Sequence, residues 1–262
     1  MDLDRVKQVG ISAAYKGAEV LQSYFGNITR VNKKGAIDLV TEADLRSEEK
    51  VVSTIRAAFP DHTILAEESG LKAGTPEYSW LVDPLDGTTN FAHQVPIFCL
   101  SIAFAVRDHI RVGIVLNPIN GELFTATCDG GAQRNGKPIQ VSSTSLISDS
   151  LLVTGFPYNL REIFDQIVAR YASCLRAAQG IRRLGSAALD LCYVACGRFE
   201  GFWEQNLKPW DTAAGSLIAA EAGGRVTDFS NQSFQVDAKE ILATNDQIHD
   251  EMLSLLRLEE NI

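Results

Sequence analysis

Trp80-Leu-Val-Asp83-Pro84-Leu85-Asp86-Gly87-Thr88-Thr89-Asn90-Phe91 sets two carboxylates and a hydroxyl directly after an apolar run. The residues from Tyr78 to Val82 are β-branched or aromatic at most positions and predict a buried strand, whereas Asp83-Pro84 and Asp86-Gly87 are turn dipeptides. Proline at 84 fixes φ and withholds a backbone donor, and glycine at 87 lets the backbone approach a ligand closely. Asp83, the Leu85 carbonyl and Asp86 could therefore converge on one point. An all-oxygen ligand set suits Mg²⁺ or Mn²⁺. Either dipeptide alone is equally an ordinary turn.

Outward from this stretch, hydrophobic periodicity sets the organisation. Val6, Val9, Ala13, Ala14, Ala18 and Leu21 recur at helical spacing and predict a helix over 3–25. Thr41-Glu-Ala-Asp44 fits a capping box before a second helix, with Leu45, Val52, Ile55 and Phe59 on one face. Strands are expected at 63–66, 78–82, 99–106, 110–116 and 123–128, with hairpin turns at Asn120-Gly121 and Asn135-Gly136. This half reads as α+β, an antiparallel or mixed sheet with helices on one side. Beyond about residue 146, strands at 151–154, 181–184, 198–204, 226 and 241–244 alternate with helices at 161–178, 186–197, 211–222 and the C-terminus, which reads as α/β. Two lobes sharing an interface are expected, 1–145 with most of the candidate ligands and 146–262.

The 262 residues, 45% hydrophobic, suffice for a sizeable core. The charged start Met1-Asp-Leu-Asp-Arg leads into the first helix, and no apolar run suits a signal core or a membrane span, so a cytoplasmic location without a membrane partner is expected. Five cysteines without a C-x-x-C pair suggest reduced, buried thiols. A net charge of −9 argues against direct nucleic-acid binding. It leaves a phosphate ester open as substrate, because bound divalent cations invert the field of a carboxylate cluster.

Further acids are candidate partners of the Asp83–Asp86 turn. Glu67-Glu68 follows the strand Ile64-Leu65-Ala66, where open sheets place ligands, although adjacent glutamates are often simply solvated. Asp211 opens the apolar helix after Trp210 and reads as an N-cap or a ligand. Lys33, Lys34, Asp38 and Asp44 flank a loop and helix start that could approach the same place.

With Glu67-Glu68-Ser69 upstream and Trp210-Asp211-x-Ala-Ala-Gly downstream, the segment Asp83-Pro-Leu-Asp86-Gly-Thr88-Thr-Asn resembles the inositol monophosphatase family of Mg²⁺-dependent, lithium-sensitive phosphatases. Asp38-Leu-Val-Thr-Glu-Ala-Asp44, Gly185-Ser-Ala-Ala-Leu-Asp-Leu and Glu221-Ala-Gly-Gly extend the resemblance nearly end to end. It implies a layered αβαβα sandwich and a homodimer. It also implies that Glu67, Asp83, the Leu85 carbonyl, Asp86 and Asp211 hold two or three Mg²⁺, or Mn²⁺, which would neutralise carboxylates that otherwise repel one another. A water activated by the cations and held by Glu67 and Thr88 would attack phosphorus, with Asp44 accepting from Thr88. The amides of Gly87 and Thr88 would hold the phosphate beside Leu85, Asp86 and Asp211.

For the polyol end the resemblance points to Glu204, Ser186, Ala187 and Arg182, while arginines 182 and 183 read equally as surface or subunit contacts. Thr89-Asn90-Phe91 resembles the inositol branch, so inositol 1-phosphate is the leading substrate, ahead of fructose 1,6-bisphosphate and histidinol phosphate. A regulatory protein contacting a protein or RNA partner, with secondary phosphatase activity, is the competing class.

Other chemistries lack support. Cys192-Tyr-Val-Ala-Cys-Gly-Arg198 has cysteine-phosphatase spacing, but its apolar interior predicts a helix rather than a loop of free amides. Asp83-x-x-Asp86 is one residue too long for the D-x-D nucleophile of haloacid-dehalogenase-type enzymes. No P-loop or dinucleotide fingerprint occurs, and the four histidines lack zinc spacing.

Overall fold

Two helices, α1 (Leu3–Tyr24) and α2 (Glu42–Ala58), pack side by side because each carries one apolar stripe, Val6, Ala13, Ala14 and Leu21 on the first and Val51, Val52 and Ile55 on the second. The structure, a computed structural model, describes residues 1–26, 31–33 and 39–258. Lys34, Asp38 and the side chains of Lys33 and Thr41 lie outside the described residues, so the expected capping by Thr41 falls there too. Between the helices, a short antiparallel ribbon of β1 (Val31–Lys33) and β2 (Leu39–Thr41) was not expected from the sequence.

The large sheet contains β3 (His62–Ala66), β4 (Gly70–Lys72), β5 (Thr75–Asp86), β6 (Cys99–Val106), β7 (His109–Asn117), β8 (Glu122–Thr127), β9 (Ala132–Arg134) and β10 (Lys137–Pro138). Its spatial order is β10-β9-β8-β7-β6-β5-β3-β4, antiparallel except for the β3–β5 pair. Both expected hairpin turns form, with Gly121 at φ 71° and Asn135 and Gly136 at φ 50° and 74°. Alternation sorts the side chains by face. Trp80, Val82, Ile102, Phe104 and Ile114 face α1 and α2, while Leu81, Ala103, Ala105 and Ala126 face the opposite side.

That opposite side is not open. It is covered by α5 (Ala187–Ala195) and α6 (Pro209–Glu221), so helices lie on both faces of the sheet rather than on one as the sequence suggested. The reason is the small side chains: a Cβ on Gly113 would lie 2.6 Å from the Ala214 carbonyl oxygen, so the α6 backbone rests almost directly on β7.

The second sheet has the order β12 (Gly180–Arg182), β11 (Leu151–Thr154), β13 (Gly201–Gln205), β15 (Glu240–Thr244), β14 (Arg225–Thr227). Val153, Phe202 and Ala243 pack towards α5, and Leu152, Trp203 and Leu242 towards α4 (Phe164–Ala177) and α7 (His249–Leu256). The layers are therefore α1/α2, large sheet, α5/α6, small sheet, α4/α7, an αβαβα sandwich. Among the described residues no helix is long and apolar enough to cross a membrane.

Candidate active site

The carboxylates are not in a turn after a strand, as the sequence suggested, but within the end of β5, which runs on to Asp86. Pro84 has no N–H for the ladder, and the register against β6 shifts between Asp83, opposite Ser101, and Asp86, opposite Cys99. Three residues advance on β5 for two on β6, a bulge. In an unbroken strand, side chains three apart face opposite sides; the extra residue lets Asp83 and Asp86 reach one cavity. Asp83 Oδ1 accepts from the Leu85 N–H at 2.9 Å, and the Pro84 carbonyl accepts from Ser47 Oγ at 3.1 Å, which ties the bulge to α2.

The helical turn α3 (Thr88–Ala92) follows at once, entered through Gly87 at φ 101°. A side chain there would be strained and would crowd the Ile97 carbonyl at 3.0 Å. Thr88 Oγ1 lies 3.1 Å from both Asp44 Oδ1 and the Leu85 carbonyl. Asp44 is fully buried near the start of α2, so the hydroxyl of Thr88 is oriented from below by a second carboxylate. Glu67 leaves β3 beside this bulge, its N–H donating to the Val82 carbonyl at 3.1 Å. Glu48 of α2 accepts from the N–H groups of Glu68 and Ser69 at 2.8 and 3.0 Å and so fixes the chain just beyond Glu67.

The other wall comes from the middle helical layer. Asp86 Oδ2 accepts from Ser186 Oγ at 2.7 Å and from the Ala188 N–H at 2.8 Å, so the start of α5 is held by a carboxylate from β5. Asp211 Oδ2 accepts from the Lys208 N–H at 2.8 Å, which makes it a cap of α6 as well as a cavity residue. Ser101 Oγ donates to the Trp210 carbonyl at 3.0 Å and anchors that helix start to β6.

These segments enclose a cavity of about 300 Å³. Glu67, Asp83, Leu85, Asp86, Gly87, Thr88, Ser186, Ala187, Glu204 and Asp211 all line it; Asp44 does not, and reaches it only through Thr88. Burial, reinforced by Glu67, Asp86 and Asp211, pushes the Asp83 carboxyl well above its usual range. Burial and Asp86 do the same to Asp211, and burial raises Asp86 to about 6 against hydrogen bonds from Ser186 and Ala188. Among the described residues no arginine or lysine forms an ion pair with Asp83, Asp86 or Asp211. Buried carboxylates that raise one another's proton affinity, beside a carbonyl oxygen, form a donor set suited to hard divalent cations.

Some expectations are redistributed. Arg182 does not line the cavity; it is exposed on the edge strand β12, its Nη1 donating to the Ile181 carbonyl at 3.1 Å. The next residue, Arg183, lines the cavity instead, its guanidinium 5.6 Å from the Phe156 ring centre. Residues on an extended chain alternate sides, so the choice between adjacent arginines could not be made from composition. Asn90 and Phe91, which favoured inositol, do not line the cavity either. Asn90 Nδ2 donates to the Ile97 and Leu184 carbonyls at 2.7 and 2.8 Å, and Phe91 is buried against Phe25 and Phe98. Both shape the site from behind. The Cys192/Arg198 spacing is structural: burial pushes the Cys192 thiol well up, and Arg198 Nη1 pairs with Glu122 at 2.8 Å.

Residues without a role in the sequence reading also line the cavity, among them Asp190, Phe156, Tyr158, Asn206 and Trp210. Asp190 and Trp210 left signals, the first as a lone acid in the apolar run Ala187-Ala-Leu-Asp-Leu-Cys-Tyr-Val and the second as the neighbour of Asp211 in the quoted motif.

The fold and cavity define a class, layered α/β proteins that gather acidic side chains from a bulged strand and from a helix start around one small-molecule site. The sequence profile of the inositol monophosphatase family matches residues 2–260, and the chain belongs to that family. It is 46% identical to the inositol-1-monophosphatase of Synechocystis sp., over 92% of this chain and 84% of that protein. It is 41% identical to the Nus factor SuhB of Pseudomonas aeruginosa, over 88% of this chain and 87% of that protein. The crystal structure of the extragenic suppressor protein suhB from Bartonella henselae superposes with a TM-score of 0.94 at 38% identity, covering 98% of this chain and 100% of that one.

Proposed function

We propose that this protein is a Mg²⁺-dependent phosphomonoester hydrolase of small polyol phosphates, with inositol 1-phosphate the leading substrate. The observation that carries the reading is the meeting in one cavity of Glu67, Asp83, Asp86 and Asp211 with Thr88 backed by buried Asp44. Glu67, Asp83, the Leu85 carbonyl, Asp86 and Asp211 would hold the cations. Bound there, two or three divalent ions would supply Lewis-acid polarisation of the phosphoryl oxygens and lower the pKa of water. Thr88, its hydroxyl shared with Asp44, positions the attacking water with Glu67 and passes a proton towards Asp44. The amides of Gly87 and Thr88 hold the phosphate, where the absence of a Cβ at Gly87 allows close approach. Glu204, Ser186 and Ala187 face the polyol, with Arg183 taking the place expected for Arg182.

A homodimer in the cytoplasm belongs to the same proposal. Phe164, Val168 and Leu175 leave an apolar stripe exposed on α4, with Asp165 near its start and Arg176 near its end. Antiparallel packing of two copies would cover the stripe and set opposite charges against each other.

A second reading, a regulatory partner of a protein or RNA assembly, is favoured by the similarity to relatives named Nus factor SuhB. The net charge of −9 weighs against direct RNA contact. Phosphate release from inositol 1-phosphate, fructose 1,6-bisphosphate, histidinol phosphate and phosphoadenosine phosphate at millimolar Mg²⁺ tests the enzyme reading. Release is expected to be greatest from inositol 1-phosphate; none from any substrate would overturn the reading.

A further inference from the structure

Asp190 sits on the first turns of α5, its N–H donating to the Ser186 carbonyl at 2.9 Å. It is 1% exposed and lines the cavity, and neither of its carboxyl oxygens has a hydrogen-bond partner among the described residues. No other described side chain has buried polar atoms left in this condition. A buried polar group without a partner is destabilising, so its retention in an otherwise apolar helix needs an explanation.

The surroundings supply one. Asp190 is close enough to Glu204 and Asp86 to feel their charges, and to Arg183 to be partly offset by it. Glu204 packs directly on the backbone of Gly155, where any Cβ would overlap its carboxylate, so the absence of a side chain at 155 makes room for it beside the cavity. Asp86 is committed to Ser186 and Ala188. Beyond Asp86 the cavity thus offers two further acids from different layers, Asp190 from a helix and Glu204 from a strand, flanked by one guanidinium. A carboxyl group accepts hydroxyl hydrogens when ionised and both donates and accepts when protonated. In either form it can bond a hydroxyl, and two carboxyls on neighbouring elements suit a ligand with several adjacent hydroxyls.

We propose that Asp190 is a specificity-determining residue, whose buried carboxyl oxygens are satisfied by hydroxyls of the substrate's polyol and so favour polyhydroxylated phosphate esters over others. The inference rests on the phosphatase reading above and adds a contact to it.

Asp190→Asn and Asp190→Ala, in the full chain with Mg²⁺, are compared with wild type on inositol 1-phosphate and on phenyl phosphate, which has no hydroxyls to read. The ratio of kcat/KM for inositol 1-phosphate over phenyl phosphate should fall about tenfold or more, mainly through KM for the polyol ester. The melting temperature without ligand should stay level or rise, because an unsatisfied acid has been removed. An unchanged ratio, with both substrates affected alike, would overturn the inference while leaving the phosphatase reading standing. A lowered melting temperature with an unchanged ratio would likewise make Asp190 structural. A wild-type protein inert on both esters would overturn the phosphatase reading and the inference with it.

Discussion

The two ends of the cavity are built differently. At the carboxylate end the acids are held by backbone donors: Asp83 by the Leu85 N–H, Asp86 by the Ala188 N–H, and Asp211 by the Lys208 N–H. At the polyol end Asp190 has no such support, and Glu204 packs against the backbone of Gly155. The first end is held by backbone donors before any ligand arrives, which suits a site that has to hold several like charges in register. The second leaves polar atoms to be satisfied by what binds. Chemistry and selectivity are therefore separable, and variants at the two ends should fail in different ways.

The largest effect is expected from Asp83→Asn. Removing the most buried of the candidate carboxylates should lower kcat by about 10³-fold, yet the melting temperature in chelator should not fall, since the substitution keeps the side chain's shape and adds no charge to the cluster. Activity within tenfold of wild type would remove Asp83 from the site. Thr88→Val keeps the shape and deletes the hydroxyl that meets Asp44; kcat on every ester should drop about 10²-fold. If Asp44→Asn gives the same loss and the double variant no more, the two act as one unit. Glu204→Gln should instead raise KM for inositol 1-phosphate about tenfold with a smaller change in kcat. A kcat loss equal to that of Thr88→Val would erase the distinction between the ends.

The smallest effect concerns pH. Burial raises Glu204 to about 8, so the folded protein binds this proton more tightly than the unfolded chain. That stabilisation is complete below the unfolded pKa and is lost as pH rises through about 8. Below about pH 6.5 His249, lowered to about 4 by burial, acts in the opposite sense, so the useful window is pH 7 to 9. Across it the Glu204 proton should account for about 2–4 °C of lost melting temperature in the metal-free protein, a share that Glu204→Gln removes, while Asp83, Asp190 and Asp211, also raised by burial, act in the same sense in both proteins.

This contrast also explains what the sequence made legible. Caps and turns leave local signatures, so Asp83, Asp86, Thr88 and Asp211 stood out through Pro84, Gly87 and the start of an apolar helix. The alternation in β5 and β6 and the hairpin glycines likewise marked the large sheet. The second cover of that sheet was hidden because α5 and α6 come from much later in the chain, and only Gly113 and the alanines of β6 hint at the close approach. At the polyol end each contributor is a single side chain on a regular element. Arg183 differs from Arg182 only by the side of the chain it takes, and Asp190 is one acid in an apolar helix. Asn90, conspicuous beside Gly87-Thr88, lies outside the cavity and tethers Leu184, so its likeness to the inositol branch reflects support of the site rather than a contact within it.

The central claim is that the acids around the β5 bulge are a cradle for divalent cations. Calorimetric titration of Mg²⁺ into metal-free protein at pH 7.5, in two buffers of different ionisation enthalpy, tests it most directly. Saturable binding accompanied by proton release is expected, because the raised carboxyls must give up protons to the incoming ions, and Asp83→Asn should lose the tightest site. Equal Mg²⁺ affinity, stoichiometry and proton release in wild type and Asp83→Asn would contradict it.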